Sequence, residues 1–115
     1  IYEFDNGVRI QESHLENHQH SRYAKNAVVL HEPHEEEWFS ALVFSATHGS
    51  VFVNIGAAVG YYCLLALRLR PRMAVVAINP SAYFRQALIQ NAALQATPVS
   101  VVQPKEDMLD TYTPT

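Results

Sequence analysis

Cysteine is nearly missing from this chain of 115 residues: Cys63 stands alone. An internal disulfide is therefore excluded. A single thiol inside an apolar stretch fits core packing or a reducing compartment, the one pointer here toward the cytoplasm. Lysine occurs only at Lys25 and Lys105, and eight basic residues against eleven acidic ones leave a net charge of −3. No basic patch forms, so nucleic acid is not an expected partner. Long apolar runs are missing too, because Arg68 and Arg70 interrupt the longest candidate well short of the roughly 20 residues that a membrane span needs. The first residue is Ile1 and the last ones form a polar Thr/Pro tail, so the chain is read as a segment of something longer. What remains is a globular balance, 49% apolar and 17% charged, enough for one cored domain but small for a complete α/β enzyme.

Glycine is also scarce, at four residues, and two of them fall within five positions of each other at Gly56 and Gly60. Before them Val51-Phe52-Val53-Asn54-Ile55 reads as a short buried strand, and after them Tyr61–Leu67 reads as an apolar helix. Strand, glycine turn and helix together form a ligand-binding unit. The tight turn needs residues free of a side chain, and the new helix points unpaired N–H groups at whatever lies over it.

The rest of the chain falls into order around that turn. Residues 2–11 alternate around Asp5-Asn6-Gly7, a hairpin signal. Residues 12–26 are polar, without periodicity, and are expected to form a surface connection, followed by a short strand at Ala27–Leu30. His31 to Glu37 opens a helix with acidic residues at its positive end, and Trp38, Leu42 and Phe39 are expected in the core. Gly49 should cap this helix. Downstream, a helix over Val59–Arg70 ends at Pro71, Met73–Ile78 forms a strand, Ser81 caps a helix over Ala82–Leu94, and Val99–Val102 forms a third strand. Two units are thus expected, a hairpin with its polar connector at residues 1–30 and a partial cofactor-binding domain at residues 31–115. The second is β-α-β-α-β, with crossovers long enough for a parallel, right-handed sheet: an α/β, Rossmann-like N-terminal half.

Two nucleotide-binding turns fail against these residues. A Walker P-loop requires Gly-Lys-Ser/Thr, and no lysine lies between Lys25 and Lys105. A dinucleotide fingerprint wants G-x-G-x-x-G, whereas Gly56-Ala57-Ala58-Val59-Gly60 has Ala58 where pyrophosphate must approach, which disfavours a nicotinamide-dependent oxidoreductase. Asn54-Ile55-Gly56-Ala57-Ala58-Val59-Gly60-Tyr61-Tyr62, together with Ala77-Ile78-Asn79-Pro80 and Asn91-Ala92-Ala93-Leu94, resembles the FkbM-like group of S-adenosylmethionine-dependent methyltransferases over roughly residues 28 to 103. That family also tends to carry a glutamate seventeen residues ahead of its first acid, and Glu37 stands at that distance from Asn54.

The resemblance implies a cofactor, S-adenosylmethionine, over Gly56, Ala57, Ala58, Gly60 and Tyr61, with Glu37, Asn54, Asn79 and Pro80 around it. It also implies a small-molecule acceptor, a hydroxyl on a sugar or secondary metabolite, attacked in line at the methyl carbon. Two family acids are asparagines in this chain, Asn54 and Asn79. A charge-assisted hydrogen bond contributes about 1.5–3 kcal/mol and a neutral one about 0.5–1.5, so each change costs roughly 1–2 kcal/mol. Two such losses, added, weaken cofactor binding by on the order of 30- to 1000-fold. The rival expectation is therefore a non-catalytic descendant, a binding or interaction module on a retained fold, with an exposed sheet edge inviting oligomers. No catalytic base is assigned. His14, His18, His20, His31 and His34 lack a recognised metal-ligand spacing, so no metal is expected. Cys63 has no paired base, and Glu106 and Asp107 are placed near an adenine only by their position after the third strand.

Overall fold

A computed structural model of the chain describes residues 1–25 and 29–104. The hairpin forms, with β1 (Tyr2–Glu3) antiparallel to β2 (Arg9–Ile10) and Tyr2 opposite Ile10. Its turn closes through the Phe4 N–H to the Val8 carbonyl at 2.9 Å and the Gly7 N–H to the Phe4 carbonyl at 2.8 Å. Gly7 takes φ 88°, and the Arg68 guanidinium fills the space a side chain would need.

Residues 12–26 depart from the expected connection. A 3-10 turn at Glu12–His14 leads into helix α1 (Asn17–Ala24). A capping box starts α1: the Glu16 side chain accepts from the third helical N–H, and the Gln19 side chain accepts from the Glu16 N–H at 2.8 Å. Tyr23 is the one buried side chain of α1, which is why no apolar stripe announces it. The strand expected at Ala27–Leu30 lies partly outside the described residues, and Val29 and Leu30 are irregular.

Helix α2 (Pro33–Ser45) begins with proline in its first turn, where the missing N–H costs nothing. Its C-terminal carbonyls are satisfied by Arg70, whose Nη1 donates to Val43 at 3.1 Å and to Ala46 at 2.5 Å. Gly49 is not the cap that was expected. The helix ends at Ser45 with Ala46 extended, and Gly49 takes its φ of 86° in the turn that follows. Trp38 is not core either. It is 77% exposed and Leu42 69%, because the buried face of α2 carries Glu36 and Val43, seven residues apart, with Phe39 beside them.

The β-α-β-α-β order is as expected: β3 (Val51–Ile55), α3 (Tyr61–Leu69), β4 (Ala74–Ile78), α4 (Ala82–Gln95) and β5 (Ser100–Val102). The three strands form one parallel sheet ordered β3-β4-β5, with Val53 beside Val76 and Val76 beside Ser100. This is an α/β arrangement compatible with half of a Rossmann-like fold.

One sheet face packs Val75 and Ala77 against Cys63, Leu67 and Leu88. The other face carries Val51, Val53, Ile55 and Val102, at 55%, 49%, 79% and 41% exposure, so only one side of this parallel sheet is covered within the described residues. The N-terminal segment has no core of its own. Phe4, Val8, Ile10 and Tyr23 are buried in one cluster with Tyr61, Leu64 and Leu65 of α3. Residues 1–25 are thus fastened to the helices that flank the glycine turn.

Candidate functional site

The turn after β3 is built on three positive φ angles, 74° at Gly56, 49° at Ala58 and 96° at Gly60. The Gly56 N–H donates to the Ile78 carbonyl at 2.8 Å, which ties the turn to β4. A Cβ on Gly60 would lie 2.7 Å from Leu88 Cγ, so only glycine lets α3 start this close to α4. At Gly56 a Cβ would meet nothing within 4 Å, and the backbone there faces open space.

That space is a cavity of about 320 Å³. Asn54 and Gly56 to Val59 form its floor, Tyr61, Tyr62 and Phe84 its sides, and His14, Glu16, Gln19, Tyr23 and His31 its roof. No lysine or arginine is among the described residues that line it.

The tyrosines after Gly60 fasten the turn to α2. The Tyr61 hydroxyl donates to Glu36 Oε1 at 2.7 Å and accepts from the Asn6 amide at 2.8 Å. The Tyr62 hydroxyl donates to Glu32 Oε1 at 2.7 Å. Burial, reinforced by these carboxylates, holds both phenols well above their ordinary range, so they remain protonated donors. Glu36 is 5% exposed and is held by neutral donors: Tyr61, the Asn6 amide at 3.1 Å and the Glu32 N–H at 2.7 Å.

Opposite, Asn91 is fully buried. Its amide donates to the Val59 carbonyl at 3.0 Å, and its oxygen accepts from the Gln11 N–H at 2.9 Å. The turn is clamped at both ends.

The expected site residues divide into two groups. Asn54, Gly56, Ala57, Ala58 and Tyr61 line the cavity, and Gly60 underpins it. Asn79, Pro80 and Glu37 are not among its lining residues. Asn79 is buried with its side-chain oxygen accepting from the Ser81 N–H at 2.9 Å, a local turn that draws it back toward its own loop. Pro80 and Glu37 are exposed, and the carboxylate tied to the turn is Glu36, one position earlier. Packing turns the face of α2 with Glu36, Phe39 and Val43 inward and leaves Glu37 outside, which counting back from Asn54 does not register. Glu36 and Asn91 come to the turn through contacts distant in sequence, and Tyr23 and His31 through a helix without an apolar stripe, so local pattern does not mark them.

Asn54 reaches back to Cys63, its amide 3.6 Å from Sγ. Burial pushes the Cys63 thiol up to about 11, which leaves it protonated and without nucleophilic character at neutral pH. Among the described residues no three histidine, cysteine or carboxylate side chains converge on a metal-sized position, and no helix is long and apolar enough to cross a membrane. Glu106 and Asp107 lie outside the described residues. A scan against protein-family models finds no match, and a search of curated proteins finds no significant relative.

Proposed function

We propose that the chain is the cofactor-binding half of an S-adenosylmethionine-dependent methyltransferase domain acting on a hydroxyl group. The observation that carries this is a glycine turn under a nucleoside-sized cavity whose wall offers aromatic rings and one carboxylate, Glu16, but no lysine or arginine. A nucleoside with a sulfonium and an ammonium group suits such a wall, because the Glu16 carboxylate attracts cations. The diphosphate of a nicotinamide cofactor would gain no cationic partner there, and Ala58 places a methyl group where its oxygens must approach.

In the proposed reaction the acceptor oxygen forms a bond to the methyl carbon as the carbon–sulfur bond breaks. The bonding pair goes to sulfur and the hydroxyl proton to a base. The contribution of this chain is to position the donor, and alignment of that kind supplies much of the rate in a displacement. One observation favours the second reading, a binding module without catalysis. Asn79, the counterpart of the family's ribose-binding acid, spends its oxygen on Ser81.

Calorimetric titration tests the cofactor that these readings require. S-adenosylmethionine should release heat and NAD should not. Asn54→Asp with Asn79→Glu should tighten methyl-donor binding by on the order of 10-fold, the gain coming from position 54, which lines the cavity. Absence of methyl-donor binding by both the natural chain and the double variant would reject the methyltransferase reading, and heat from NAD alone would replace it with the oxidoreductase one.

A further inference from the structure

The cavity roof is held by a small polar latch. Tyr23 is the only buried side chain of α1, wedged edge-on against Phe4 with ring centroids 5.1 Å apart. Its hydroxyl meets His31 Nδ1 at 2.5 Å. Arg22 Nη2 lies 3.2 Å from the same nitrogen and donates to the His31 carbonyl at 3.0 Å. A guanidinium has only donors, so Nδ1 is the acceptor, the tyrosine hydroxyl donates to it, and the imidazole proton sits on Nε2, 3.5 Å from Glu32 Oε1. The latch needs a neutral imidazole. A proton on Nδ1 would face the Arg22 cation and leave the imidazole unable to accept from Tyr23 or Arg22.

We propose that α1 is a roof over the glycine-turn cavity, latched by Tyr23 and Arg22 on His31 and released when His31 takes up a proton. Both Tyr23 and His31 line the cavity, so opening the latch opens the ligand space itself. The inference rests on that cavity being the ligand site.

The groups that face His31 pull in both directions. Burial lowers its affinity for a proton, Glu32 raises it, Arg22 lowers it, and Glu36 and Glu35 of α2 raise it, with a net downward result. The rings of Tyr61 and Tyr62 stand on its other side, with centroids 5.1 and 6.4 Å away. A histidine whose latched form binds protons less readily than its free form stabilises the latch above the free value near 6.5. It loses that contribution as the pH falls through about 6.5 and below.

Amide hydrogen exchange of the ligand-free full chain, corrected for the intrinsic pH dependence of exchange, tests this. Tyr23→Phe keeps the ring packing and removes the hydroxyl. It should speed exchange in residues 17–24 by about 3- to 10-fold at pH 7.5 and leave α4 unchanged. Acidification to pH 5.5 should produce a similar selective acceleration in the natural chain. His31→Gln stays neutral and still offers an oxygen to Arg22 and Tyr23, so it should abolish the acid effect. Acid acceleration that persists in His31→Gln would show that His31 is not the group that releases α1 and would overturn the proposal. So would a Tyr23→Phe variant that exchanges like the natural chain, or one that loosens α1 and α4 alike. No ligand is present in these measurements, so failure of the methyl-donor reading would show in the titration and not here.

Discussion

Replacing Ala58 with glycine removes a methyl group that holds the backbone in an unfavourable region. Ala58 sits at φ 49°, where the Cβ of an L-residue crowds the following carbonyl at a cost of roughly 1–2 kcal/mol. Glycine avoids that crowding but loses about 0.4–1 kcal/mol through the greater freedom of the unfolded chain. Because Ala58 is exposed, no packing is lost with its methyl group. The balance is a gain of about 0.5–1 kcal/mol, or about 2–5 °C in the unfolding midpoint of a domain this size. Ala57 provides the control, since it is buried and its φ is not positive. Ala57→Gly should therefore destabilise by about 1 kcal/mol through lost contacts and added chain freedom. Thermal and urea unfolding of the two variants measures the contrast. If Ala58→Gly lowered stability as Ala57→Gly does, the left-handed turn and the cavity floor built on it would be refuted. Asparagine tolerates the same φ, so Ala58→Asn should also be accommodated without loss of stability in the same unfolding measurements.

Gly60→Ala should be among the most damaging substitutions in the chain, because a Cβ 2.7 Å from Leu88 Cγ adds overlap to a φ of 96°. A loss of about 3 kcal/mol or more in chemical unfolding is expected, and near-neutral stability would contradict the close approach of α3 and α4. Tyr61→Phe leaves the buried Glu36 carboxylate short of one donor and the Asn6 amide short of one acceptor. It should cost about 1–3 kcal/mol in urea titration, and Glu36→Gln in the same background should recover part of the loss by removing the charge.

The sheet and its helices were legible in the sequence because their signals are local. Runs of β-branched residues at 51–55 and 74–78, the break at Pro80 and the Ser81 cap each act within a few positions. Helix α1 was not legible, since one buried tyrosine and a Glu16–Gln19 capping box leave a sequence as polar as a loop. Trp38 and Leu42 follow helical spacing as well as Glu36 and Val43 do, and only the packing partner decides which face turns inward. The candidate site divides along the same line. Its turn could be read from Gly56 to Gly60, whereas the carboxylate behind Tyr61 and the roof at Tyr23 and His31 depend on contacts across 25 or more residues, or on a helix that left no periodic trace.

The buried Asn91 has a bearing on the order in which this protein assembles. Its oxygen reaches a backbone N–H 80 residues away, and its amide a carbonyl 32 residues away. The strand, turn and helix around Gly56 are local and can form early. The two segments that enclose the space above them must first be brought together at the cost of closing long loops. The cavity therefore exists only where the N-terminal segment is docked, since that segment supplies His14, Glu16, Gln19 and Tyr23 to its lining. A fragment that retained Val51–Tyr62 but lacked residues 1–31 would keep the glycine-turn signature and lose half of the side chains that enclose the space above it.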